Sequence, residues 1–273
     1  MLSPRSLFRE IIDDDEAFRL FCSIAAGGEA QGGWENRRIA ALVPESLRGL
    51  APKIARHGAD EDKHGRLFHG LLRKRGLTPV PVPRETDYTV LLEAQGLGLA
   101  HTRLRREVPL TERDIVVYLA HSRVTEQRAA GQMAMLSRYF GDDPLLGRAV
   151  RMIAEDEANH LAYCHEELLR LAEAGHERFV RDTLRTTALA ELDTYRDVSL
   201  AVMEHMTRLL GWSPTRAALV RAGIHAGYAA ERAGRWRRMT SLTMPERRDP
   251  LGSDAPADTT HPATEPAESP EPA

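Results

Sequence analysis

The chain has 273 residues, enough for one large domain or two small ones, and it can bury a core without help from disulfides or metals. Hydrophobic residues make up 42% and charged residues 28%, and the formal charge of -3 lacks the basic excess of a nucleic-acid binder. Cys22 and Cys164 are too few for a disulfide framework. No run of 18 apolar residues marks a membrane span, and MLSPRSLFREIIDDDEAF has no apolar signal region, so a cytoplasmic protein with reduced thiols is expected.

Proline and glycine punctuate the chain at wide intervals, and no alternating β-branched run is long enough for a strand. A first helix is predicted from about Asp14 to Val43, with Asp13 to Asp15 supplying the cap and N-terminal charge. Its GGEAQGG centre is weak in helix propensity. Pro44-Glu45-Ser46 turns the chain into a second helix, Ser46 to Arg75, which stops at Gly76. TPVPVPRETD then reads as a stiff extended connector. The apolar segment Tyr88 to Leu104 is broken by Gly96 and Gly98.

Thr111 and Asp114 mark the start of a third helix that runs to Phe140. Gly141 to Pro144 reverses the chain into a fourth, ending near Ala174 at Gly175. Two more helices follow, Glu177 to Leu210 and Ser213 to about Arg238. Each amphipathic helix must bury one stripe, so the economical fold is an all-α bundle. It would comprise two antiparallel hairpins joined by a long crossover, a core over 14–174 and additional helices over 177–238, within a domain of residues 1–240. Residues 241–273 read as a disordered acidic, proline-rich tail, with six acids and no Lys or Arg from Asp249 on.

Two segments share Asp-Glu-x-x-His: Asp60-Glu61-Asp62-Lys63-His64 and Asp156-Glu157-Ala158-Asn159-His160. A Glu and a His three residues apart lie on one helical face and can reach one ion. Chance supplies about one Glu-x-x-His in such a chain, but only ~0.06 with the preceding Asp, so two copies carry weight. Position adds a second constraint. Glu29 lies 15 residues before Pro44 and Glu61 lies 17 after it; Glu126 lies 16 before Asp142 and Glu157 lies 15 after it. In antiparallel hairpins these residues meet at matching depth. Glu29, Glu61, His64, Glu126, Glu157 and His160 then converge, the set a dinuclear carboxylate site needs.

Glutamates on mild apolar stripes such as SIAAGGEAQGG are costly unless paired or metal-bound. His57, one turn before Glu61, is a further candidate, as an added ligand or as a support behind the ligands. His121 and Tyr163 are weighed in the same way. Glu191, Asp193, Glu204 and His205 are read as solvated, and Cys164 as a small core residue.

The ligand order Glu, Glu-x-x-His, Glu, Glu-x-x-His over residues 14–174 resembles the ferritin-like di-iron carboxylate superfamily. That resemblance implies a ferritin-like four-helix bundle with two iron ions, or manganese, in which Glu61 and Glu157 bridge and Glu29 and Glu126 are terminal ligands. DEDKHGRL is also similar to the Glu-x-Arg-His-Gly-x-Leu box of acyl-carrier-protein desaturases, with Lys63 in place of the arginine. Likeness to bacterial multicomponent di-iron monooxygenases implies that Asp60 orients His160 and Asp156 orients His64.

Three functions follow as expectations. The first is an oxidoreductase that uses dioxygen to hydroxylate, N-oxygenate or desaturate a small organic or acyl substrate, fed by a ferredoxin-like or flavin reductase. The second is a ferroxidase or peroxide scavenger, and the third is a structural bundle with a vestigial site. The additional helices favour the first, and the absence of a Cys-x-x-Cys rubredoxin module weighs against the second. No nucleic acid or membrane partner is expected, and a homodimer is the expected assembly.

Overall fold

The computed structural model describes residues 3–242, and every regular element among them is helical. The sequence assigned no element to residues 4–13, but they form α1 (Pro4–Asp13). Pro4 sits in its first turn, Ser3 and Ser6 cap it reciprocally, and Ile11 and Ile12 are buried. Asp14 ends α1 in an extended conformation and caps α2 (Asp15–Leu42), accepting a 2.9 Å bond from the N–H of Ala17.

The second long helix starts later than the sequence indicated. Residues 45–50 form a 3-10 turn, and α3 spans Ala51–Lys74 with Pro52 in its first turn. The crossover carries α4 (Tyr88–Ala94) and α5 (His101–Leu104). Helix α6 (Glu112–Phe140) begins with the Thr111–Asp114 capping box. Helix α7 (Gly147–Leu171) begins three residues beyond Pro144, because Asp143 first accepts bonds from the N–H groups of Leu145 and Leu146. A wide turn at 172–176, with Gly175 at φ 103°, leads into α8 (Glu177–Leu209). The expected last helix is two pieces, α9 (Pro214–Ala230) and the short α10 (Arg237–Thr240), interrupted at 231–235.

Four of these helices make the bundle. Helices α2 and α3 form one hairpin, and α6 and α7 form the other. The hairpins meet antiparallel in both directions. Lys53, His57 and Lys63 of α3 contact Glu167, Tyr163 and Asp156 of α7, so contacts ascend one helix as they descend the other. Asn36 and Leu42 of α2 likewise meet Tyr118 of α6 and Leu110, just before it. The first hairpin is tight because Gly33 and Gly58 face each other. A Cβ at Gly58 would sit 3.0 Å from the Cβ of Asn36 and 3.1 Å from the carbonyl of Gly33.

Two apolar layers bracket the middle of the bundle. Phe18, Cys22, Ala26, Phe68, Leu136 and Ile153 pack at one end; Ile39, Leu50, Ile54, Leu119 and Leu168 pack toward the other. Cys164 is a buried core residue, and both cysteines are free. Helix α8 lies along α6, and α9 returns along α8. Leu242 still packs on the core; the expected tail from 243 onward lies outside the described residues. No helix among the described residues is long and apolar enough to cross a membrane.

Candidate metal centre

Between the two apolar layers the chain buries a polar cluster. Glu61, Glu126, Glu157, His64 and His160 are at most 7% exposed, and His57 is 2% exposed. Glu29 is half-buried beside them. The helical hairpins set the depth and the three-residue spacing sets the face, so residues far apart in sequence converge.

They converge as two groups that share Glu61. His57, Glu61, Glu126 and His160 form one; Glu29, Glu61, His64 and Glu157 form the other. Within each group the facing atoms lie within 4.8 Å of one another, so each group could hold a metal ion. Glu157 stands in the second group only, and His57 takes the fourth place in the first. The six residues singled out from the sequence are therefore together, with His57 as a seventh. His121 is in neither group, and its Nδ1 is buried without a hydrogen bond.

The donor atoms fit an ion better than they fit each other. His64 Nδ1, His160 Nδ1 and Glu157 Oε2 are buried and make no hydrogen bond. His64 Nδ1 faces Glu29 and Glu157 oxygens at 3.5 Å, and His160 Nδ1 faces Glu61 at 3.5 Å and Glu126 at 3.7 Å. These separations are too long for good hydrogen bonds. Two ligands on one ion at bonds of ~2.1 Å stand about 3.0–3.4 Å apart, close to what is seen.

Protons stand in for cations in the metal-free cluster. Burial and the neighbouring Glu61 push the carboxyl of Glu29 well above the usual range. Burial and Glu126 do the same to Glu157. Burial also opposes ionisation of Glu61 and Glu126. For Glu61, the Glu29 carboxyl and the neighbouring His57 and His64 outweigh it; for Glu126, the charge of His57 and the nearby His160 do. Both carboxyls are thereby held low. Burial works against the charged forms of His57 and His64, yet Glu126 and Glu61 raise His57 to about 10, and Glu29 and Glu61 raise His64 to about 10. The carboxyls of Glu29 and Glu157 are thus pushed up and those of Glu61 and Glu126 held down, beside two histidines raised to about 10.

A polar layer backs the histidines. His64 Nε2 meets Asp156 Oδ2 at 3.0 Å. His160 Nε2 is 3.5 Å from Asp60 Oδ2, beyond a made hydrogen bond. Lys63 binds both aspartates, at 2.9 Å to Asp60 and 2.6 Å to Asp156. The sequence marks Lys63 only as a departure from a family box. Its position between two Asp-Glu-x-x-His helices was invisible without their relative rotation.

One sequence reading is corrected. Glu191 is buried, not solvated: both its oxygens take bonds from Arg128 at 2.8 Å, and Tyr88 donates a third at 2.8 Å. The available signal was its place on the stripe Leu184, Thr187, Ala188, Glu191, Leu192, which α8 turns inward. Glu204, by contrast, is exposed and bonds to Arg208. No family model, curated protein or solved structure matches the chain, so the reading of this centre rests on its own residues.

Proposed function

We propose that the protein is a non-haem di-iron oxidoreductase that uses dioxygen to oxidise a small organic or acyl substrate. The observation that carries this reading is the pair of buried four-residue groups sharing Glu61. Glu-bearing α2 and α6 with Glu-x-x-His-bearing α3 and α7 support a ferritin-like assignment of the bundle. Mixed carboxylate and imidazole ligation suits iron, with manganese as the other hard-to-borderline candidate.

Bound iron would supply the electrons that reduce dioxygen. The chain's own contribution is positional. Glu61 would serve both groups. Glu29 and Glu157 would hold one of them with His64, and Glu126 would hold the other with His57 and His160. Asp156 keeps His64 in register from behind, and the two apolar layers limit water at the centre. An external electron donor of the ferredoxin or flavin reductase kind would be required for turnover.

The test is iron content and oxygen consumption. Chain produced with iron should carry two irons, and Glu61→Ala should carry none, because both groups lose a ligand. A Glu61→Ala protein that still binds two irons would overturn the ligand assignment. Oxygen uptake that stops once supplied Fe(II) is spent, and that a chemical reductant does not sustain, would identify a ferroxidase instead.

A further inference from the structure

One chain of hydrogen bonds crosses all four bundle helices and ends on the buried His57. Tyr118 of α6 donates to Asn36 Oδ1 of α2 at 2.7 Å. The Tyr118 and Tyr163 hydroxyls are 2.8 Å apart, and Tyr163 of α7 is 2.8 Å from His57 Nδ1 of α3. Asn36, Tyr118 and His57 are at most 5% exposed, and Tyr163, the link between them, is half-buried.

The end of the chain fixes its direction. A phenol has one proton to donate. Tyr118 spends its proton on the carbonyl of Asn36, so its oxygen must accept from Tyr163. Tyr163 has then spent its own, so its oxygen accepts from His57. Nδ1 of His57 therefore carries a hydrogen, the one the ring would keep once a cation displaced the other from Nε2. Nε2 is the other ring nitrogen, and it faces Glu61 Oε1 at 2.8 Å and Glu126 Oε1 at 3.3 Å, inside the first metal group.

The geometry points to Asn36, Tyr118 and Tyr163 as positioning residues that set the tautomer of His57 and so make its Nε2 a metal ligand, an inference that rests on the metal-centre reading above. The reverse direction, with the Asn36 amide nitrogen donating, would put a hydrogen on Nε2 and aim it at the place a cation would occupy. Gly58 belongs to the same device: it leaves room for Asn36, whose Cβ would lie 3.0 Å from a Cβ at that position. Partners that orient ligating histidines from behind typically change metal affinity by about 10–100-fold.

The experiment uses full-length chain loaded with Zn(II) and labelled with nitrogen-15 at histidine. The His57 ring should show Nε2 bound to metal and Nδ1 protonated. Metal on Nδ1, or a His57 ring free of metal, would overturn the inference. In competition with a chelator, Tyr163→Phe should weaken Zn(II) binding about 10–100-fold at one of the two ions. In a His57→Ala background, the same substitution should change nothing further. An equal loss in both backgrounds would show that Tyr163 acts only through general structure. Asn36→Asp keeps the terminal acceptor and should retain affinity, whereas Asn36→Leu should match Tyr163→Phe. Wild-type chain that binds no metal would overturn the centre itself; metal bound with His57 free would overturn only the chain.

Discussion

The Glu191–Arg128 pair gives a quantitative test of the fold outside the metal centre. The Glu191 side chain is 0% exposed and that of Arg128 is 11% exposed. Glu191→Ala would strand the guanidinium, which donates both its Nε and Nη2 bonds to that carboxylate, and would remove the acceptor of Tyr88. Leaving one partner of a buried ion pair costs about 3–5 kcal/mol, and an orphaned hydroxyl adds about 1 kcal/mol or more. At about 2–4 °C per kcal/mol for a domain of this size, the melting temperature should fall roughly 8–24 °C. Circular dichroism melts and urea titrations measure this, with the urea slope unchanged. Arg128→Met with Glu191→Leu should recover most of the loss, because well-packed apolar replacements of buried pairs are often neutral. A Glu191→Ala protein within about 1 kcal/mol of wild type would refute the placement of α8 on α6.

Three further outcomes follow from the centre. His57 and His64 are raised to about 10, so metal uptake near neutral pH should release protons from both and affinity should climb as pH rises toward 10; calorimetry in two buffers of different ionisation enthalpy measures the release, and release near zero would contradict the assignment. Gly58→Ala should cost about 1–3 kcal/mol in urea and weaken metal binding, since the added methyl meets Asn36 and the Gly33 carbonyl. Lys63→Met should lower metal affinity about tenfold by freeing Asp60 and Asp156, with Lys63→Arg restoring it, as read by chelator competition.

Much of the fold was legible because it is local. Asp14, Thr111 and Gly175 announce helix ends through backbone bonding that needs no tertiary partner. The errors at residues 45–50 and 144–146 have the same origin. There a proline in the following turn, or a side chain such as Asp143 that competes for N–H groups, delays a helix the hydrophobic pattern alone would begin earlier. The candidate ligand set was legible for a geometric reason: three-residue spacing fixes a face, and distance from a turn fixes depth.

Helix rotation and the identity of distant partners were not encoded in any short pattern. Whether α8 turns Glu191 toward Arg128 depends on packing across elements 63 residues apart. The fourth place in the first group went to His57 rather than Glu157, a choice that three-residue spacing leaves open. The Asn36–Tyr118–Tyr163 chain draws one residue from each of three helices, and no spacing links them. The sequence by itself picked out six of the seven clustered residues and the depth at which they lie. Only the tertiary structure decided which atoms face one another, because side-chain contacts between helices depend on rotation and separation that single-helix periodicity leaves free.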